Sequence, residues 1–357
     1  MGFSLGIVGL PNVGKSTLFN ALSKAKVDVS NYPFCTIDPN IGIAEVADER
    51  LSDIAKIIGS KKAIPTVIEF IDIAGLVKGA HKGEGLGNQF LSHIRETSAI
   101  AQVVRCFSAP DIVHVEGEAN PERDIGLIEA ELILADLATI DKRFEPVKKA
   151  IKTGDKNILK LLHLLEKIKE ALDRGRPARE LLPSINLEDI KLTRELNLLT
   201  IKPVLYVANT DESGNLEQIE KIKKFGPTVS ICAKLEAEIS ELSQDDAHAY
   251  LKEIGMSETA LKRLIRSGYE MLDLITFFTA NDKEARAWTV KRGAKAPEAA
   301  GCVHSDMERG FIAAEIVSYK DLIENGSYAK AKEKGLVHTQ GKSYEIQDGD
   351  LVFFKFV

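Results

Sequence analysis

The chain begins with a short apolar run, Leu5 to Val8, bounded by glycine. From Ser16 to Leu22 apolar and polar residues recur at helical spacing. This reads as a buried strand followed by a helix. The same alternation returns downstream. Val67 to Ile71 reads as a strand ending at Asp72, and Ile100 to Cys106 is another apolar run. "KPVLYVANTDE" (202–212) reads as a strand and "VSICAKLEAEI" (229–239) as a strand then a helix. Strands alternating with helices predict an α/β domain.

The middle of the chain changes rhythm. Residues 129–140 carry Leu132, Leu134 and Leu137 in helical register, and 156–172 carries leucines at 159, 161, 162, 164 and 165. Together they predict a pair of long antiparallel helices. Arg174 to Pro177 interrupts, and Asn186 to Leu199 returns as helix. The expected layout is a first domain piece at 1–128, an inserted helical arm at 129–199, and a second piece at 200–274 closed by a helix from Glu258 to Leu274. Past that point the pattern shifts to "ITFFTA", "EARAWTVKRG" and "FIAAEIVSY" as strands, "APEAAGCVH" as a short helix, and a "DGD" turn before a last apolar strand. Residues 275–357 therefore predict a small mixed fold of β-grasp type. Trp288, Phe353, Phe354 and Phe356 are expected in its core and strands.

Composition changes this picture little. The 357 residues leave room for two or three domains, and 44% hydrophobic with 28% charged is ordinary for a globular protein. A formal net charge of -6 argues against a chain that is basic overall. Locally, Lys142 to Arg179 holds twelve Lys/Arg against five Asp/Glu. That is either a solvated helix face or an RNA-facing surface with salt-dependent binding. The four cysteines (35, 106, 232, 302) show no metal or disulfide spacing and fit a reducing compartment. No basic leader and no long apolar segment is present, so a cytoplasmic, membrane-free protein is expected.

The chemistry gathers at the first strand–helix junction. Gly9, Gly14, Lys15 and Ser16 fit G-x-x-x-x-G-K-[ST]. In that pattern backbone N–H groups and a helix N-terminus cradle phosphates, the lysine reaches the β- and γ-phosphates, and the serine holds Mg2+. Downstream, Asp72 and Gly75 form DxxG: Asp72 holds the Mg2+ through water, and the Gly75 N–H meets the γ-phosphate. Thr36, between the two motifs, is the candidate ligand that closes on Mg2+ only when the γ-phosphate is present. The glycine-rich tail from Gly75 to Gly87 suits a γ-phosphate sensor. A guanine reader would end its later strand with N-K-x-D; here Asn209, Thr210, Asp211 and Glu212 stand instead. Adenine carries no ring donors for that carboxylate, and Asn209 can meet its 6-amino group and N7, so ATP is the expected substrate with GTP weaker. Ala233 and Lys234 are placed to present backbone to the base. Leu76 follows Gly75 where a water-orienting glutamine stands in many GTPases, and leucine cannot polarise water. His114 and His81 are competing candidates for that task.

These residues, Gly9 to Thr17, Thr36, Asp72 to Gly75 and Asn209 to Glu212, resemble the YchF / Obg-like ATPase family over essentially the whole chain. The resemblance implies a P-loop NTPase (Ras-like G domain) with a helical arm and a C-terminal β-grasp TGS domain. It implies ATP hydrolysis on the ribosome, either its large subunit or the whole particle, with ribosomal RNA met by the arm and the TGS domain. It favours His114 over His81 for the water. Phosphates would lie against Asn12, Val13, Gly14, Lys15, Ser16 and Thr17, and the purine against Asn209, Thr210, Glu212 and Ala233. Lys15, Gly75 and His114 would be catalytic, Ser16, Thr36 and Asp72 would serve Mg2+, and Asn12 is compatible with an activating K+. A monomer is the default. The competing readings are an Obg-like GTPase of the same architecture, a small-molecule kinase, and a nucleotide-binding scaffold with little turnover.

Overall fold

The computed structural model describes residues 3–24, 38, 40–73, 87–108, 119–150 and 155–357. Up to residue 231 its strands are β1 (Ser4–Val8), β2 (Ile41–Val46), β3 (Lys62–Ile64), β4 (Thr66–Asp72), β5 (Ala99–Arg105), β6 (Val204–Asn209) and β7 (Thr228–Ile231). All but β3 form one sheet in the order β2-β4-β1-β5-β6-β7. β2 runs antiparallel to β4, and the other neighbours are parallel. Strands β1, β5 and β6 are buried at every position. That is why their sequences are continuous apolar runs: a parallel strand covered on both faces has no polar side.

Helices α1 (Lys15–Ser23), α2 (Glu49–Ile58) and α3 (Asn88–Glu96) follow in the first part of the chain. The expected helix at 129–140 is the middle of one longer helix, α4 (Pro121–Ala150). The division between residues 128 and 129 thus falls inside a continuous helix. Its first turns carry Ile125 and Ile128 into the sheet's core beside Val104, and the same period goes on to Ile133 and Ile140 in the arm's own core. α5 (Lys156–Asp173) packs back along α4, burying Leu164, Leu165, Ile168 and Leu172. α6 (Leu187–Glu195) is shorter than the expected 186–199 helix. The arm's return is fixed by Asp136, fully buried, which accepts from Leu199 N (2.8 Å), Thr200 N (2.7 Å) and Thr200 Oγ1 (2.7 Å). The carboxylate satisfies backbone donors that would otherwise be orphaned. α7 (Leu216–Lys223), α8 (Ala233–Ile239), α9 (Gln244–Glu253) and α10 (Ala260–Met271) complete this part.

The last part of the chain supplies β8 (Leu274–Ala280), β9 (Glu284–Lys291), β10 (Phe311–Ser318), β11 (His338–Gln340) and β12 (Asp350–Phe356). Their sheet runs β11-β10-β12-β8-β9-β3, so its final strand comes from residues 62–64, parallel to β9. Helix α2 packs its buried Leu51, Ile54 and Ala55 against the same sheet with Phe278 and Leu351. Arg50 donates to Asp348 (2.7 Å), and Tyr319 Oη donates to Asp53 (2.8 Å). The other face carries α11 (Ala296–Val303) over Phe277 and Val352. Trp288 is half-buried and donates to Thr279 Oγ1 (2.8 Å), while Phe356 is 45% exposed rather than core. The described cysteines, Cys106, Cys232 and Cys302, are free thiols.

Candidate nucleotide site

The carboxyl ends of the parallel strands meet on one edge of the sheet, where α/β folds bind ligands. β1 turns there through residues 9–14 into α1. Gly14 sits at φ 96°, and Asn12 takes φ 61°. A side chain on Gly14 would collide with the Asn209 amide nitrogen, so glycine is required by space as well as by backbone conformation. Val13 is 1% exposed and belongs to the hydrophobic core. It therefore offers backbone, not side chain, to the site. Ser16 and Thr17 are exposed on the first turn of α1.

Lys15 is 9% exposed, and its Nζ donates to the Leu10 carbonyl (2.7 Å). Burial lowers its pKa to about 8, against an opposing pull from the Asp72 carboxylate. Asp72 ends β4, 6% exposed, with its backbone N–H on the Asn40 carbonyl (2.9 Å). A buried ammonium and a buried carboxylate thus stand at the mouth of the glycine turn.

Asn12, Gly14, Lys15, Ser16 and Thr17 border a cavity of about 840 Å3. Its other end is formed by Asn209, Thr210, Asp211, Glu212 and Ala233. The Asn209 side chain has protein partners of its own. It is 4% exposed, its Nδ2 donates to the Val13 carbonyl (2.9 Å), and its Oδ1 accepts from the Ala233 N–H (3.0 Å). One of its two N–H groups and one lone pair of its oxygen tie the glycine turn to the start of α8, because an unpaired buried amide would be costly, and these bonds leave the second N–H and the second lone pair unused. The Ala233 N–H is committed in the same bond. Glu212 and Asp211 are exposed at the rim, where a solvated carboxylate carries little penalty with either purine. These exposed carboxylates therefore discriminate little between the purines in this geometry.

Sequence reasoning missed Phe107, Ser108, Cys232 and Ser213, which also line the cavity. Phe107 carries the Arg105 guanidinium 4.5 Å from its ring centroid. The available signal was position: Phe107 and Cys232 each lie just past the carboxyl end of a strand, β5 and β7. Thr36, Gly75, Leu76, His81 and His114 lie outside the described residues. Among the described residues no helix is long and apolar enough to cross a membrane, and no three His, Cys, Asp or Glu side chains cluster as metal ligands.

A glycine turn between buried strand and helix, a lysine held inside it, and an aspartate on the neighbouring strand define a P-loop nucleotide-binding protein of the GTPase fold. Residues 4–210 match the family described as 50S ribosome-binding GTPase, and residues 274–357 match YchF-GTPase_C, described as a protein of unknown function. The chain belongs to the YchF family. It is 50% identical to the ribosome-binding ATPase YchF of Bacillus subtilis, covering 100% of both chains. It is 48% identical to that of Escherichia coli O157:H7, covering 100% of this chain and 99% of the relative. The YchF GTPase of Schizosaccharomyces pombe superposes with a TM-score of 0.90 at 35% identity, covering 99% of this chain and 98% of that one. A GTP binding protein from Pyrococcus horikoshii OT3 shares the fold alone, with a TM-score of 0.61 at 19% identity.

Proposed function

We propose that the chain is a Mg2+-dependent switch that hydrolyses ATP to ADP and phosphate and binds the ribosome in the cytoplasm as a monomer. The observation that carries the hydrolase reading is the pairing of Lys15 with Asp72 beside a glycine turn. Lys15 would leave the Leu10 carbonyl for the β- and γ-phosphates, and the turn's N–H groups would take the remaining phosphate oxygens. Ser16 and Asp72 are the described residues that fit Mg2+: one hydroxyl and one carboxylate are hard oxygen donors, and so few protein ligands suit an ion that keeps waters and phosphate oxygens. Bound there with Thr36, the ion would neutralise charge between the phosphates. The Gly75 N–H would meet the γ-phosphate, and His114 would orient water in place of the glutamine that Leu76 replaces. Asn12 remains the contact to test for K+.

ATP over GTP is supported by the names of the bacterial relatives and by the missing lysine at Thr210. The exposed Glu212 and the name of the yeast relative favour a second reading, a GTPase of the same architecture. Competition binding of ATP and GTP to the purified chain separates the two. ATP preference is the expected result, and a GTP affinity a hundredfold higher would reassign the protein. Phosphate release with and without ribosomes, for wild type and His114→Ala, tests turnover; unchanged turnover in the variant removes His114 from its role.

The ribosome contact is proposed for the arm and the TGS-like C-terminal domain. The arm's charge needs a finer account than its sequence window gave. Across 129–199 there are fourteen Lys/Arg against thirteen Asp/Glu. Lys160, Lys169, Arg174, Arg176 and Arg179 pair with Glu188, Asp141, Glu170, Glu180 and Glu129. Lys142, Arg143, Lys148, Lys149, Lys156 and Lys167 make no ion pair among the described residues. Most of these six lie toward the tip of the hairpin, and the RNA contact is proposed there.

A further inference from the structure

We propose that Glu236 is a positioning residue for the base end of the nucleotide cavity, holding α8 in place against the amino end of α10. The proposal rests on reading that cavity as the nucleotide site. α8 is seven residues long. A helix so short has little stability of its own, so its direction is set by what it is tied to. At its first residue, the Ala233 N–H is held by Asn209. One turn on, Glu236 is 2% exposed, and its Oε1 and Oε2 accept from Ala260 N (2.7 Å) and Leu261 N (3.3 Å). Those are two of the amides that a helix start leaves open, and the helix dipole favours an anion there.

Packing alone does not call for this residue. Burying a carboxylate is costly unless both oxygens are paired, and an apolar side chain would bury more simply. What the carboxylate adds is direction. On the side away from the nucleotide, α8 borders a second cavity of about 740 Å3, with Ile239, Leu251 and Ile265 among its walls. The helix is therefore not braced on that side by close-packed atoms, and the Glu236 bonds hold it from tilting. Ala233, three residues earlier, faces the nucleotide cavity. A tilt of α8 would shift Cys232 to Lys234 at the base end directly and would reach the glycine turn only through the one Asn209 side chain that bridges them.

The test compares affinity for ATP with affinity for tripolyphosphate, which carries the phosphates without the base, in the full chain with Mg2+. Glu236→Ala should weaken ATP by about tenfold or more, the scale of one lost charge-assisted hydrogen bond. Tripolyphosphate affinity and turnover at saturating ATP should stay within about twofold. Glu236→Gln keeps one acceptor and should lose less, about threefold, giving a folded variant if the alanine fails to fold. Equal weakening of ATP and tripolyphosphate, or no weakening of either, would overturn the proposal. A wild type that holds tripolyphosphate as tightly as ATP would instead strike down the base-cavity reading beneath it.

Discussion

Lys15 shows how one residue's environment sets a measurable behaviour. Its pKa in the fold is about 8, well below that of an exposed lysine. The depressed value costs the fold stability wherever the side chain must be charged, and that cost fades as pH rises from about 8 towards the unfolded lysine's value. Phosphates act in the opposite sense, since an anion beside the ammonium raises its pKa. Nucleotide binding above about pH 8 must then take up a proton, and affinity should fall by up to about tenfold per pH unit there. Calorimetry in buffers of different ionisation enthalpy checks this, and Lys15→Met should abolish the uptake. Gly14→Ala should be nearly null for nucleotide binding. The new methyl would strike Asn209 and hold an L-residue at φ 96°, at a cost of about 1–3 kcal/mol read from the denaturant midpoint.

Elements were legible in the sequence to different degrees, for physical reasons. β1, β5 and β6 announced themselves because both faces are buried. The phosphate turn did so because only glycine fits its backbone. β3 is three residues long, with Lys62 and Ala63 exposed, and nothing local marks it as a strand. Its partner β9 lies more than two hundred residues away, and such pairing leaves no periodicity to read. Asn209 was recognised as a site residue, but its bonds to the Val13 carbonyl and the Ala233 N–H were not, because a side-chain amide's partners depend on what the fold brings beside it. No break in the sequence marks the arm's start, because α4 keeps one helical period while its buried face passes from one core to another between Leu132 and Ile133. At this scale Asp136→Ala should be severe. It leaves Leu199 N, Thr200 N and Thr200 Oγ1 without their acceptor in a fully buried place, so a loss of about 2–4 kcal/mol is expected by chemical denaturation.

For the whole molecule, the arm's charge distribution makes a selective prediction. Lys148→Glu with Lys149→Glu should weaken ribosome association and flatten its dependence on salt, by about 1.4–1.8 in the log–log slope if both contact phosphate. Arg176→Glu, at a position already paired with Glu180, should do much less. Cosedimentation across a salt series reads both. Equal effects at the two places would mean that RNA does not meet the outer hairpin.

The C-terminal sheet borrows β3 as its outer strand and α2 as its cover. A cut after Asp273 would accordingly not yield two tidy products. The amino-terminal fragment would keep Leu51, Ile54 and Ala55 bared to water, and the carboxyl-terminal fragment would expose the side of β9 that β3 now protects. Anyone who wishes to transplant the final 84 residues onto another carrier must take the stretch around 47–65 along, or expect aggregates on a sizing column.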